Sequence, residues 1–312
     1  MNQPTIVVTE GLEAAPLAWL KSNSKVLEVS PENAPAMQEA LRFADGLIVR
    51  TYTQVTANLL QQAPRLRVVG RAGVGLENID QAACAAAGVK VISTPEANTQ
   101  AVCEYVFNLI FSLGRPVVRV REPISPEAFH AYRKTSRGLE LCGRTLGILG
   151  MGRIGRAVSR VALAFHMKII YFDVVDVSEC VDFPAAAVSV NELFSSSDIL
   201  SIHVSHRPGN RHFVDRTKLA LMQPHALLIN TARGEVVDAA ALAQAISSGT
   251  LAGAALDVHD PEPPGPDYPL WNMDRVLLAP HLAARTQGAM DAMSWVARDV
   301  VEFLLNGEGP RR

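Results

Sequence analysis

The chain has 312 residues, 48% of them hydrophobic, with 29 Lys and Arg against 31 Asp and Glu for a formal net charge of −2. That length favours two domains and permits a large buried interior. The scattered charges leave no basic stripe for nucleic acid and no polybasic segment for a membrane surface, so any anionic ligand must be caught locally.

The chain enters the strand-like TIVVTE almost at once, with no leader-like segment before it and no apolar run of roughly 18 residues anywhere. A soluble, cytoplasmic protein without nucleic-acid or membrane partners is expected. Cys84, Cys103, Cys142 and Cys180 lack metal-type spacing and disulfide density, so reduced, mostly buried thiols and no metal site are expected.

Along the chain, the β-branched runs TIVVTE, KVLEVS, GLIVR, RVVGR and VKVIST alternate with the helix-like ENAPAMQEALRFA and NIDQAACAAAG. This is the grammar of a parallel sheet covered by helices on both faces. NTQAVCEYVFNLIFSLGR is apolar on nearly every side and reads as a buried helix at a domain or subunit boundary. The polar EPISPEAFHAYRKTSRG after it reads as loop with room for a short helix. A second strand series follows: TLGILG, KIIYFD, ILSIHV, ALLINTA, GAALDV and RVLLAP. Met290, Met293, Ala297, Val300 and Leu304 then mark the stripe of one final amphipathic helix.

TLGILG runs into Gly150, Gly152 and Gly155, a GxGxxG arrangement, and Ile154, Val158, Val161 and Phe165 continue at helical spacing. Strand, glycine turn and helix start together let backbone N–H groups and the positive helix end hold a pyrophosphate. KIIYFD ends in Asp173, close to the roughly 20-residue spacing at which an acidic residue meets the adenosine ribose. A carboxylate there accepts from both ribose hydroxyls and repels a 2′-phosphate, which favours NAD over NADP.

Three polar residues follow strands of the second series: Arg233 in NTARGE, Glu262 in DVHDPEPP and His281 after RVLLAP. Ligands of open α/β sheets bind at strand ends. A His beside a carboxylate has its pKa raised and serves as proton donor to a ketone and acceptor from an alcohol. A guanidinium grips a carboxylate in bidentate fashion.

LGILGMGRIG, NTARGEVVD, GAALDV, EPP and APH together resemble the NAD-dependent, D-isomer-specific 2-hydroxyacid dehydrogenase family over nearly the whole chain. The resemblance implies an α/β protein with a Rossmann dinucleotide-binding domain (99–285) inserted into a flavodoxin-like substrate-binding domain (1–98 plus 286–312), and closure by a hinge. It implies that Arg233 binds the substrate carboxylate and carbonyl oxygen, that His281 is the acid/base, and that Glu262 orients it. Val74, Gly75 and Asn98 are implied on the substrate side. Arg153, Ile154, His203, Thr231, Ala232 and Asp257 join the glycines and Asp173 on the NAD side, with Asp257 meeting the nicotinamide carboxamide. Departures from the family pattern are Ala283 and Arg285 after the His, Ser205 where Pro is common, and His259 in place of an aromatic.

Within the family, LIVRTYTQVTANLLQ and LRVVGRAGVGLENID most resemble phosphoglycerate dehydrogenases, implying oxidation of 3-phosphoglycerate in serine biosynthesis. Arg50 and Arg71 end apolar strands, and Arg133 matches a family arginine that acts from the partner subunit of a homodimer. Three arginines favour an anionic substrate tail. With the chain ending at Arg312, serine feedback through an added regulatory domain is not expected. Glyoxylate, hydroxypyruvate and sulfolactate remain alternative substrate types, and an NAD-sensing corepressor-like scaffold is the alternative from another class.

Overall fold

The computed structural model describes residues 3–117 and 119–307. They form two compact units, one of residues 1–98 and 284–312, the other of 99–283. The second crossing thus comes two residues earlier than the 285/286 boundary drawn from the sequence.

The first unit alternates β1 (Thr5–Val8), α1 (Ala14–Asn23), β2 (Lys25–Glu28), α2 (Ala34–Leu41), β3 (Gly46–Val49), α3 (Ala57–Gln62), β4 (Val68–Arg71), α4 (Gln81–Ala86) and β5 (Lys90–Ser93). Asn33, Thr56 and Asp80 start α2, α3 and α4 by accepting first-turn N–H groups. All five strands are parallel in the order β2-β1-β3-β4-β5, the flavodoxin-like arrangement. Alternate residues cover the two faces: Val7, Leu47 and Val69 in one core, Ile6, Ile48 and Val68 in the other.

In the second unit α5 (Thr99–Gly114) and α6 (Pro126–Thr135) precede β6 (Thr145–Leu149), α7 (Arg153–Ala164), β7 (Lys168–Phe172), β8 (Ala186–Ala187), α8 (Val190–Ser196) and β9 (Ile199–Ile202). Then come α9 (Arg216–Leu219), β10 (Leu227–Asn230), α10 (Ala239–Ser247), β11 (Gly253–Leu256) and β12 (Val276–Leu278). The parallel order β8-β7-β6-β9-β10-β11-β12 is the doubly wound Rossmann order, extended by one strand. Its switch point lies between β6 and β9.

The chain returns to the first unit through α11 (Gln287–Ser294) and α12 (Val296–Asn306), a pair broken at Trp295 where one helix was expected. Val296, Val300 and Leu304 of α12 pack on the β-sheet, and a Cβ at Gly70 would overlap Val300. Glycine in β4 is therefore what lets the helix lie that close.

Three further expectations are corrected. α5 is not apolar on nearly every side: Gln100, Glu104, Asn108 and Ser112 form an exposed stripe, while Val102, Val106 and Ile110 are buried. The segment read as loop with room for a short helix is mostly helix, the ten-residue α6, started by Ser125 and Pro126. Cys84 and Cys103 are buried, but Cys142 and Cys180 are exposed. Among the described residues no helix is long and apolar enough to cross a membrane, and no group of His, Cys, Asp or Glu is placed to hold a metal.

Candidate active site

The three glycines occupy the turn from β6 to α7. Gly150 has φ +97°, and a Cβ there would overlap the backbone of His203. A Cβ on Gly155 would overlap the Gly150 carbonyl, whereas the space beside Gly152 is open. Gly152 begins α7 without a side-chain cap, so the first-turn N–H groups at Arg153, Ile154 and Gly155 face no capping side chain. Such an end is an anion cradle.

Asp173 follows β7, and its carboxylate accepts from the Met151 N–H at 2.8 Å and the Val175 N–H at 3.1 Å. It ties the strand end to the glycine turn and, with lone pairs remaining, still suits ribose hydroxyls. Thr231 Oγ1 and His203 Nδ1 are buried without a partner. The other ring nitrogen of His203 lies 2.9 Å from Ser201 Oγ, and burial pushes the pKa down to about 3, so the ring is neutral. Orphaned polar atoms beside a glycine cradle fit a dinucleotide.

Asn230, Leu256 and Leu278 end three adjacent strands, and backbone bonds extend this ladder past them, from Asp257 N–H to Asn230 and from Ala279 N–H to Leu256. Arg233, Glu262 and His281 consequently leave one sheet edge. Asn230, missed in the sequence, shapes the first of these turns. Its Oδ1 accepts from the Ala232 N–H at 3.0 Å and its amide donates to the Arg233 carbonyl at 2.9 Å. The Arg233 guanidinium donates to the Ala232 carbonyl at 2.6 Å.

His281 Nδ1 lies 3.0 Å from Glu262 Oε2, with the two side chains 47% and 40% exposed. The bond to Glu262 raises the His281 pKa against the opposing effect of burial; the charges of Glu262 and Asp257 add to the rise and Arg233 opposes it. Burial works against the ionised Glu262, yet the bond and charge of His281 hold its pKa below the usual value. With Nδ1–H donating to Glu262, Nε2 is the nitrogen left for a substrate.

Asp257 braces the turn that leads to His281. It is fully buried, and its carboxylate accepts from the N–H of Leu282 at 2.7 Å and of Ala283 at 2.8 Å. Its carbonyl takes the His281 N–H at 2.8 Å. The carboxylate expected to meet the nicotinamide carboxamide thus also anchors the loop that carries His281, and two N–H bonds leave it further lone pairs. Burial raises its pKa against those two backbone bonds. His281 itself sits at φ +55°, a conformation costly for a residue with a Cβ.

In the first unit, Val49 pairs with Arg71, so Arg50 and Arg71 leave the ends of adjacent strands. Arg50 donates to the Gly11 carbonyl at 3.2 Å and lies 3.0 Å from Met290 Sδ. Burial lowers its pKa, and the charge of Arg285 adds to this. Arg71 donates to the Ala72 carbonyl at 2.8 Å and folds over Gly73, where a Cβ would overlap it. Val74 and Gly75 follow in the same half-buried loop, and Asn98 Oδ1 is buried without a partner. Glu10, unnoticed in the sequence, accepts from the backbone N–H groups of Arg50, Thr51, Tyr52 and Thr53 and so builds the loop after β3. Arg133 lies exposed on α6 of the second unit.

Residues 107–283 match the family described as D-isomer specific 2-hydroxyacid dehydrogenase, NAD binding domain. The chain is 34% identical over 305 residues to a D-3-phosphoglycerate dehydrogenase of Methanocaldococcus jannaschii, covering 97% of this chain but 58% of that protein. It therefore spans little more than half the length of that relative. It is 36% identical over 320 residues to a glyoxylate reductase of Aeropyrum pernix, covering 99% of this chain and 95% of that one. A crystal structure of a Thermus thermophilus protein superposes with a TM-score of 0.85 at 30% identity, covering 99% of both chains. With its glycine cradle for NAD and the Arg233, Glu262 and His281 edge, the chain belongs to the D-isomer specific 2-hydroxyacid dehydrogenase family.

Proposed function

We propose that this protein transfers a hydride between NAD and a D-2-hydroxy acid, with 3-phosphoglycerate oxidised to 3-phosphohydroxypyruvate. The observation that carries the reading is the His281–Glu262 pair at 3.0 Å on the same sheet edge as Arg233. Bound in that cradle, NAD would supply the hydride acceptor for C2 or, in its reduced form, the hydride donor. Arg233 grips the carboxylate and polarises the C2 oxygen, with the Val74 and Gly75 N–H groups and Asn98 completing the hold. His281 Nε2 takes the hydroxyl proton during oxidation and gives it back during reduction, while Glu262 stabilises the charged ring. Gly150, Gly152, Gly155, Arg153 and Ile154 hold the pyrophosphate. Asp173 selects against a 2′-phosphate, and His203, Thr231 and Ala232 line the rest of the dinucleotide site.

Arg50, Arg71 and a second copy's Arg133 hold the substrate phosphate in this reading, because a dianion needs charge-assisted donors that the net charge of −2 does not supply. The homodimer it requires is supported by α6, which has no buried residue and leaves Phe129 and Tyr132 each 49% exposed. Four free thiols suit a reducing, cytoplasmic setting.

Glyoxylate or hydroxypyruvate reduction is the second reading, favoured by the glyoxylate reductase relative matched along 95% of its length. A panel of phosphohydroxypyruvate, hydroxypyruvate, glyoxylate and sulfopyruvate, followed by NADH and NADPH absorbance, separates the two. The expected result is NADH preferred and phosphohydroxypyruvate ahead by about tenfold or more in kcat/KM, the scale of one well-made charged contact. Glyoxylate ahead would remove the phosphate assignment. NADH binding with no turnover of any acid would leave the NAD-sensing scaffold.

A further inference from the structure

His259 is a buried imidazole whose surroundings give it more to do than fill space. The residue is 7% exposed. One ring nitrogen, Nε2, lies 2.8 Å from the carbonyl oxygen of Ala279, two residues before His281. Nδ1 lies 3.4 Å from the Tyr268 hydroxyl, and the two rings meet edge to face at 5.5 Å. A carbonyl only accepts, so Nε2 must carry a proton and donate. Burial pushes the Tyr268 pKa up to about 12, with Asp260 adding to it, so that hydroxyl keeps its proton and is the donor to Nδ1.

The backbone of His259 touches the remaining loop. A Cβ on Gly234, the residue after Arg233, would overlap the His259 carbonyl group. Glu262 lies three residues further along the same loop, and the backbone N–H of His259 is among the groups that lower its pKa after burial and His281 are counted. A single side chain and its backbone thus meet the segments that carry Arg233, Glu262 and His281.

We propose that His259 is a positioning residue, a latch whose Nε2–H bond to Ala279 holds the His281 loop against the loop that presents Glu262. The proposal rests on the reading of His281 as the acid/base. A phenylalanine would keep the ring packing but leave the Ala279 carbonyl without its donor. The His281 loop would then keep Asp257 and the Ala279 N–H bond to Leu256 but lose its side-chain tie to the Glu262 loop, and the 3.0 Å spacing to Glu262 would loosen.

The test compares His259→Phe with His259→Gln, whose amide can restore the donor. In keto-acid reduction the Phe variant should lose about tenfold to a hundredfold in kcat, the scale of a sub-ångström misplacement, with KM changing by less than about threefold. Its pH limb should move to lower pH, because Glu262 and Asp257 stabilise the His281 cation against Arg233 and the Glu262 bond would be weaker. Gln should return to within about threefold of the parent. Phe indistinguishable from the parent, or Gln as impaired as Phe, would overturn the latch.

Two NMR measurements stand apart from turnover. The nitrogen shifts of His259 in the unmodified protein should report the Nε2–H tautomer, and an Nδ1–H tautomer refutes the proposal. The His281 titration midpoint should fall in His259→Phe, and an unchanged midpoint also refutes it. An enzyme that turned over no 2-keto acid would defeat the functional reading while leaving these two outcomes to judge the latch.

Discussion

At His281 a strained backbone, a carboxylate partner and a buried acid meet on one residue. The φ of +55° costs on the order of 1–3 kcal/mol, which the Asp257 bonds to the two following N–H groups and its carbonyl bond to the His281 N–H offset. Because the folded pKa of His281 is raised, its contribution to stability is present below the unfolded value and fades as pH rises through the folded one, while that of Glu262, whose folded pKa is lowered, is lost as pH falls through it. Activity follows the same sign. Reduction needs the imidazolium, so kcat/KM for a keto acid should fall as pH rises through the raised pKa. Glu262→Gln removes the largest cause of that rise, so the falling limb should move to lower pH, and reduction at neutral pH should drop by about tenfold per unit moved. A limb that stays in place in the pH profile would show that Glu262 does not tune the acid. The trio was legible in the sequence because each member follows an apolar strand run and strand ends gather ligands. Asp257 and His259 were not, since their partners lie 26 and 20 residues away, as Ala283 and Ala279.

Along the β6–α7 turn, three glycines of one motif have different physical duties. Gly155 lets the helix rest on the strand end, because any Cβ at that position would overlap the Gly150 carbonyl, whereas nothing lies beside Gly152. Gly152→Ala should therefore leave the thermal midpoint nearly unchanged, within about 0.5 kcal/mol in stability, yet weaken NADH binding by about tenfold or more. Gly155→Ala should destabilise by about 1–3 kcal/mol before any ligand is added. Thermal unfolding beside NADH titration by fluorescence reads both. Equal NADH affinity in Gly152→Ala would place the pyrophosphate elsewhere. The strands of both sheets were readable from β-branched runs, apart from the two-residue β8. Helix limits were harder. α5 hides a polar stripe of Gln100, Glu104, Asn108 and Ser112 among apolar residues, and Trp295 continues the periodicity across a break.

For the molecule as a whole, the arginines divide between units: Arg50 and Arg71 at the end of the first sheet, Arg133 on exposed α6 of the second. If Arg133 serves the site of a second copy, co-expressing Arg133→Ala chains with His281→Ala chains should restore activity that neither variant has alone. One hybrid site keeps both groups while the other lacks both. Loss of Arg133 from a desolvated phosphate site should cost roughly 2–5 kcal/mol in kcat/KM for phosphohydroxypyruvate. Steady-state kinetics of the mixed population measures this, and no recovery would confine Arg133 to its own chain or to no role.

By itself the sequence determined the two α/β sheets, the glycine cradle with Asp173, and the identity of Arg233, Glu262 and His281, because these are written in short periodic runs and in residue chemistry at their ends. Only the tertiary structure decided what Asp257, His259, Asn230 and Glu10 do. Each is an ordinary polar residue until folding brings it a backbone partner. The backbone has no sequence signature: every residue offers the same N–H and C=O, so which of them Asp257 or Glu10 will meet follows from strand register and loop path alone.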